Sequence, residues 1–348
     1  MVLRAVSALA VISCGIGAWY AWRLAADPLA RANPRWAGAW IEEGLRAEMA
    51  SQLRDAESCF LEAARLDRTW LPRWTLANYY LRRGERDRFW QWARAAASIP
   101  YADVSALFPL AWRVSNDSGE ILARLIPPSA AVHRQYLEYL LNRDLVTAAE
   151  PVAGALAVQA TPEDRALLLR HLEREITARR MAPSIAVWNA LIQRGLIQHP
   201  PLNPERGVSL TNGDFARAPE RGGFDWRIHP VEGVAVEYLS PGVRVTLSGR
   251  QPERTDILYQ FVPLLGDTAY RLQFRCRTET VGLHWSLESD LLPGVDLRSE
   301  EWREQSIAFA TRQAGLYQLV LRYQRPQGSP RAEGALEMGN LALERARE

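Results

Sequence analysis

The stretch TNGDFARAPERGGFDWR, residues 211–227, marks the point at which the character of the sequence changes. It follows a long region rich in alanine and arginine, and it introduces glycine-flanked turns around the segments NGDF and GFDWR. Before it, apolar residues recur with the 3.6-residue period of a helix; after it, they recur at every second position, as in a β-strand. We therefore predict that an all-β module begins near residue 208.

Short segments with this alternation follow one another to the end of the sequence. Glycine, proline, aspartate and serine separate them, as expected for turns between strands. Several strands at regular spacing predict an antiparallel sandwich or barrel. The segments are VAVEYL, VRVTLS, DILYQFVPL, YRLQFRCR, LHWSLES, QSIAFA and LYQLVLRY.

The region before this module carries helical periodicity and a repeat. Trp40 and Trp74 are 34 residues apart, which is the tetratricopeptide period. Small and large residues stand where two antiparallel helices of that family pack closely, namely Trp40, Gly44, Ala56, Phe60, Ala63 and Trp74. The first unit thus resembles a tetratricopeptide repeat, although Glu43, Ala47 and Arg68 depart from the family pattern. The resemblance implies a helical solenoid that binds a protein partner.

The first segment of the sequence, residues 5–22, contains no charged side chain. At 1.5 Å per residue it spans about 27 Å, close to the roughly 30 Å of a hydrocarbon core. An aromatic cluster closes the run and Arg23 follows, as is typical of a membrane boundary. We predict a transmembrane anchor; a lipidated Cys14 and a cleaved signal peptide are alternatives.

The predicted orientation rests on the very short N-terminal tail. Such a tail usually stays in the cytoplasm, so that the rest of the chain is exported. The arginines that follow the apolar run favour the opposite orientation. We predict a single-pass protein of the bacterial inner membrane with its body in the periplasm.

The segment HPPLNPERG, residues 199–207, holds three prolines and cannot continue a helix. The predicted fold class is therefore multi-domain, α plus all-β: a transmembrane helix, a tetratricopeptide-like α-helical solenoid and an antiparallel β-sandwich. The predicted parts are an anchor over residues 1–23, the helical domain over 24–200, a proline-rich linker over 201–207, and the sandwich over 208–348.

Five segments of the β module share a pattern of strand and turn types with one family. They are NGDF, GFDWR, LYQFVPLLGDTAYRLQFRCR, EWREQSIAF and GALEMGNLALE. Residues 208–345 resemble the jelly-roll, galactose-binding-like carbohydrate-binding modules of bacterial glycanases. The resemblance implies that NGDF forms the first strand and that Phe224 and Trp226 lie in the second. Sugar binding is the family's commonest use.

Members of that family often hold a structural calcium ion with two acidic residues. Here Ala216 and the pair Gly339–Asn340 occupy the corresponding places. Calcium requires several oxygen ligands, carboxylates above all. We therefore predict no metal and no cofactor.

Strand alternation predicts which side chains leave the core of the sandwich. With Trp285 in the core, the outward side chains are rich in arginine and poor in aromatic rings. Guanidinium groups bind carboxylates and phosphates through paired hydrogen bonds, so we expect an acidic polysaccharide, or the partner of the helical half, to bind there. The predicted ligand-binding residues are Arg271, Gln273, Arg275, Arg277, His284, Glu288 and Arg322.

Other classes of function find little support in the sequence. All 42 basic residues are arginines, and a net charge of +2 makes no strong field for nucleic acid. Five scattered histidines, with no nucleophile elbow and no phosphate-binding loop, predict that the protein is not an enzyme and has no catalytic residues. Three cysteines match neither a metal site nor a disulfide framework.

The functional prediction is a non-catalytic, membrane-anchored scaffold in the assembly or export of an extracellular polysaccharide. Its helical domain would bind protein and its sandwich would bind glycan. The alternative is a structural assembly factor of a cell-envelope complex, in which the sandwich binds protein instead of sugar.

Overall fold

The computed structural model describes residues 33–346 except 221, 240, 289–290 and 293. The chain divides into two compact units between Tyr139 and Leu140. The domain limits predicted on either side of the linker at 201–207 stay a prediction.

The predicted membrane anchor at residues 5–22 lies outside the described residues. Within them, no helix combines the length and the apolar character that crossing a bilayer requires. The prediction of a single-pass inner-membrane protein with its body in the periplasm is therefore corrected.

The described part of the first unit is helical. Its helices are α1 (Ala37–Met49), α2 (Leu53–Leu66), α3 (Trp70–Arg82), α4 (Arg86–Ala97), α5 (Leu107–Val114), α6 (Ser118–Leu125) and α7 (Ala130–Asn142), and α7 crosses the division between the units. Helices α1 and α2 pack against each other, as do α3 and α4.

The contact between α1 and α2 uses the residues that the repeat pattern marks for close packing. A Cβ atom at Gly44 would lie 2.5 Å from the ring of Phe60, so only glycine allows this approach. Ala56, Phe60 and Ala63 are fully buried on α2. This packing fits the pattern without establishing the family, and the tetratricopeptide assignment stays a prediction.

The second unit begins with the end of α7 and three more helices: α8 (Val146–Val158), α9 (Arg165–Thr177) and α10 (Met181–Gln193). Thr161 and Asp164 form a capping box over Pro162–Asp164, ahead of α9. Gly195, with φ of 70°, follows the end of α10. Both termini agree with the sequence signals of threonine before proline and of glycine after the last turn.

Two ionisable side chains of α9, His171 and Glu175, are fully buried. Nε2 of His171 lies 3.4 Å from Oε1 of Glu175, and Nη1 of Arg180 lies 3.2 Å from that oxygen. Burial lowers the pKa of His171 to about 4 and raises the pKa of Glu175 to about 7. Arg180 also pairs with Glu150 of α8, so two carboxylates and one guanidinium face the imidazole.

Replacing Glu175 by glutamine should change how stability depends on pH. Because its pKa is raised from 4.5 to about 7, the carboxyl stabilises the fold below pH 4.5, and this contribution is lost as the pH rises through 7. The variant has no carboxyl group to ionise at this position. Its free energy of unfolding, relative to that of the wild type, should therefore rise by up to about 3 kcal/mol between pH 4.5 and pH 8. Urea unfolding across this range measures the difference, and parallel pH profiles would contradict it.

The rest of the second unit is a sandwich of two antiparallel sheets. Its strands are β1 (Arg227–Ile228), β2 (Val234–Tyr238), β3 (Val243–Ser248), β4 (Arg254–Leu264), β5 (Thr268–Thr278), β6 (Leu283–Leu287), β7 (Ser299–Thr311), β8 (Gly315–Gln324) and β9 (Glu333–Arg345). One sheet has the order β1-β4-β8-β6 and the other has the order β2-β3-β9-β5-β7. Helices followed by a two-sheet β body confirm the α plus all-β part of the predicted fold class.

The NGDF segment is a tight turn, which corrects its prediction as the first strand. Asn212 and Phe215 have φ angles of 52° and 54°, in the left-handed region that interrupts an extended chain. The carbonyl of Gly213 accepts a hydrogen bond of 2.8 Å from the amide of Leu341 in β9, so the turn docks on that strand. Strand β1 is short and consists of the two residues that follow Trp226, namely Arg227 and Ile228.

The GFDWR segment places a fully buried carboxylate, Asp225, beside this turn. Its Oδ1 accepts a bond of 2.7 Å from the amide of Trp226, and its Oδ2 lies 3.0 Å from Nε2 of His199. The indole of Trp226 donates to the carbonyl of Asn212 at 2.9 Å. Asp225 and Trp226 thereby fix the turn against the core.

The C-terminal end of α9 covers part of the outer face of the four-stranded sheet. The guanidinium of Arg179 donates to the carbonyl of Leu316 at 3.0 Å and to Oε1 of Glu288 at 2.7 Å. It also lies 5.3 Å from the ring centroid of Phe261. The outer face of the four-stranded sheet is therefore partly covered within this unit.

Candidate functional site

The outer face of the five-stranded sheet contains a groove along β5, between β9 and the edge strand β7. Gln273 of β5 lies between Ser306 of β7 and Ala342 of β9, and Arg271 lies opposite Ala308. Small neighbours on both sides leave the Gln273 side chain standing above the sheet, and Ala308 leaves space on one side of Arg271. The resulting groove has a volume of about 240 Å³ and is lined by Gln273, Phe274, Arg275, Glu304, Gln305, Ser306, Asn340 and Ala342.

An exposed indole stands beside this groove. The Trp302 side chain on β7 is 41% exposed. The guanidinium carbons of Arg275 and Arg277 lie 4.9 Å and 5.6 Å from the centroid of its ring. Cation–π contacts of this kind hold a ring in place while part of its surface stays open to solvent.

Trp302 was not among the predicted ligand-binding residues. Ile307 and Phe309 point into the core, and Trp302 is an odd number of residues before both. Strand alternation therefore places it on the outward side, next to Glu304 and Ser306. The alternation within EWREQSIAF was therefore enough to predict that Trp302 faces outward. Its exposed ring corrects the expectation of a face poor in aromatic rings.

The charges on this face are only partly paired. Arg244 and Arg277 share one carboxylate, that of Glu337, at 2.6 Å and 2.8 Å. The hydrogen bond from Arg244, reinforced by Arg277, lowers the pKa of Glu337. Arg271 and Arg275 make no ion pair with any described residue, although glutamates lie opposite both in the strand register. Two guanidinium groups are therefore available to an anionic ligand.

The seven predicted ligand-binding residues are divided between two faces. Arg271, Gln273, Arg275 and Arg277 lie together on the outer face of β5. His284, Glu288 and Arg322 lie on the outer side of the other sheet or next to it, with His284 opposite Arg322 in the register. The structure thus brings the first four residues together and separates the last three from them.

Each of these last three side chains has its own surroundings. Arg322 bonds Asp256 through two nitrogens, at 2.5 Å and 3.2 Å. Glu288 binds Arg179. His284 is half-buried, and burial lowers its pKa.

Two further features of the described residues bear on the choice of site. No three histidine, cysteine, aspartate or glutamate side chains among them are grouped to hold a metal ion. A larger cleft, about 860 Å³, lies at the N-terminal end of β5 and is lined by charged residues such as Glu205, Asp267 and Arg345. Its lining contains no aromatic ring, whereas the groove beside Trp302 combines a ring with polar side chains.

No protein-family model matches the sequence, and no curated protein matches it. Carbohydrate-binding modules are among the solved structures that resemble the C-terminal part of the chain.

Three of these structures illustrate the degree of likeness. The CBM22-1 xylan-binding domain from Paenibacillus barcinonensis Xyn10C is 11% identical, with a TM-score of 0.28, over 39% of this chain and 93% of that one. The N-terminal cellulose-binding domain from Cellulomonas fimi β-1,4-glucanase C is 14% identical, with a TM-score of 0.29, over 38% and 94%. TmCBM61 in complex with β-1,4-galactotriose is 19% identical, with a TM-score of 0.26, over 39% and 92%.

Proposed function

We propose that the β-sandwich binds a polysaccharide in the groove beside Trp302. The observation that carries this proposal is the exposed Trp302 ring, held by Arg275 and Arg277 at the edge of a groove lined by polar side chains. A pyranose ring has an apolar face that stacks on an indole and hydroxyl groups around its rim. The groove supplies an amide from Gln273, a hydroxyl from Ser306 and a carboxylate from Glu304 for those hydroxyls.

The arginines favour a chain that carries carboxylates. Arg271 is exposed, and neither it nor Arg275, whose guanidinium lies over the Trp302 ring, has an ion pair among the described residues. A guanidinium binds a carboxylate through two parallel hydrogen bonds, a match that neutral sugars cannot make. An acidic polysaccharide therefore offers both a sugar face that stacks on the indole and carboxylates that pair with the guanidinium groups.

Titration calorimetry with two hexasaccharides tests the proposal. We expect the full chain to bind hexagalacturonate more tightly than the neutral β-1,4-linked glucose hexamer. Replacing Arg271 by glutamine should weaken hexagalacturonate binding about tenfold and leave the neutral hexamer unaffected, because one charge-assisted contact contributes about 1.5 kcal/mol.

Replacing Arg46 by glutamine is the matched control for this change. Arg46 lies on α1, and its side chain is 58% exposed, so the variant alters the net charge equally and leaves the groove intact. If the wild-type chain bound neither hexasaccharide, glycan binding at this face would be disproved. Equal weakening by both arginine variants would leave only a general effect of charge.

A protein partner for the first unit, whose described part is helical, is a second element of the proposal. Leu45 and Met49 lie four residues apart on α1, and they are 43% and 87% exposed. Leu71 of α3 is 54% exposed. A contiguous patch of exposed apolar side chains can mark a surface that another protein covers, and Leu45 and Met49 are neighbours on one face of α1.

We propose that the chain acts by binding and carries out no catalysis, holding a partner protein near a polysaccharide that is being assembled or exported. A screen of its neighbouring genes for glycosyltransferases and polysaccharide-export proteins would test that role.

A further inference from the structure

An apolar groove lies on the second unit beside the first half of α10. Its volume is about 350 Å³, and pockets that bind ligands usually measure about 300–1,000 Å³. Helix α10, the proline-rich segment around Pro204 and the loop after β4 supply its walls. Its apolar lining includes Met181, Ala182, Ile185, Ala186, Leu202 and Leu265.

The wall that α10 contributes leaves apolar side chains in contact with solvent. Ala182 and Ala186 are exposed, and Met181 and Ile185 are only half-buried. The members of each pair are four residues apart, so they lie on one face of the helix. Another face, which includes Trp188, is buried. Helix α10 therefore presents apolar surface beyond what its own packing buries.

Glu205 links this apolar groove to the charged cleft of about 860 Å³ described above, because it lines both. Three exposed carboxylates line that cleft, those of Glu205, Asp267 and Glu344, and none of them has an ion pair among the described residues. The cleft also contains two guanidinium groups. That of Arg345 donates to the main-chain carbonyl of Glu205 at 3.0 Å, and the other belongs to Arg206. Because the carboxylates outnumber the guanidinium groups, a positively charged partner is favoured next to the apolar groove.

The chemistry of this surface favours a polypeptide over other classes of ligand. Neither the groove nor the cleft has an aromatic ring among its described lining residues, so a sugar finds no flat surface on which to stack. The three carboxylates repel the phosphate groups of anionic lipids and of nucleic acids. A polypeptide combines aliphatic side chains with lysine or arginine, and these complement both parts of the surface.

We propose that the groove and the cleft together bind a segment of a partner protein, with aliphatic side chains in the groove and a lysine or arginine beside Glu205. This surface is distinct from the one on α1, because all of its lining residues belong to the second unit. It does not depend on glycan binding beside Trp302. The unit that contains the proposed polysaccharide groove thus also has a surface for a protein.

A random-peptide phage library panned on the full chain tests this proposal. Phage that also bind the Ala186→Arg variant are removed, because an arginine at this exposed position fills the groove and repels a basic peptide. We expect the remaining peptides to combine aliphatic residues with lysine or arginine. Synthetic copies of them should bind Ala186→Arg about tenfold more weakly than the wild type, as measured by fluorescence anisotropy. Ala182→Arg, at the other exposed alanine of the groove, provides a second blocked variant.

The matched control for the blocked groove is Ala155→Arg. Ala155 is exposed on α8 and does not line the groove, so this variant makes the same change in charge on another helix. It should bind the selected peptides like the wild type. Replacing Glu205 by glutamine should weaken their binding about threefold, the size expected for one exposed ion pair. Glu232→Gln, at another exposed glutamate of the same unit, should have no effect.

Three results would overturn the docking surface. The first is a library that yields no peptide specific for the wild type over Ala186→Arg. The second is a set of selected peptides that are neutral or acidic. The third is equal weakening by Ala186→Arg and Ala155→Arg, which would leave only a general effect of charge. Both of these variants should bind hexagalacturonate equally, so failure of the protein surface can be told apart from failure of the proposed polysaccharide groove.

Discussion

Replacing Gly213 by alanine should lower the free energy of unfolding of the second unit by about 3 kcal/mol or more. A Cβ atom at this position would lie 1.9 Å from the carbonyl oxygen of Leu341, a backbone atom that cannot rotate away. The same turn accepts a hydrogen bond from the amide of Leu341, so relief of the clash would break the contact that docks the turn on β9. Thermal and urea unfolding followed by circular dichroism measure the loss.

Gly315→Ala is the matched control for this substitution. A Cβ atom at Gly315 would meet only the ring of Tyr317, at an ordinary contact distance of 3.8 Å. That variant should change the free energy of unfolding by less than about 1 kcal/mol. A Gly213 variant as stable as the Gly315 variant would show that the NGDF turn does not need its close approach to β9.

Alternation along the strands predicted the two faces of the sandwich well. In β5, Tyr270, Leu272 and Phe274 are buried, and Arg271 and Arg275 between them are exposed. The geometry of an extended chain sends successive side chains to opposite sides, so this property is local and can be read from one strand.

The role of the NGDF segment could not be read in the same way. Asn212 and Phe215 take left-handed φ angles, and asparagine tolerates them more readily than phenylalanine does. Phe215 is held there because its ring is buried and stacks on Trp226, with centroids 5.1 Å apart. Tertiary packing therefore overrides the local preference of this residue for an extended conformation.

The candidate site was only half predictable for a related reason. Alternation shows which side chains of one strand point outward, but it does not show which sheet that strand joins. Strand β6, which carries His284, pairs with β8, while β5, which carries Arg271, pairs with β7 and β9. These pairings depend on contacts between distant parts of the chain, so the outward residues of β5 and β6 belong to different sites.

The largest effect on ligand binding is expected from Trp302→Ala. Stacking of a sugar on the exposed part of the ring would bury roughly 80 Å² of apolar surface, which corresponds to about 2 kcal/mol. Its loss should weaken hexagalacturonate binding about thirtyfold, as measured by titration calorimetry. The free energy of unfolding should change little, because the side chain is 41% exposed and lies outside the core.

Trp36→Ala provides the matched control, since Trp36 is an exposed tryptophan of the first unit, 49% accessible to solvent. Both variants remove an indole from the surface, but only the Trp302 variant also frees Arg275 and Arg277 from the ring that orders them. Trp302→Phe should recover part of the affinity, because a smaller aromatic ring still offers a flat surface between the arginines and the groove. Wild-type affinity in Trp302→Ala, or an equal loss in Trp36→Ala, would mean that the groove beside β7 is not where the polysaccharide binds.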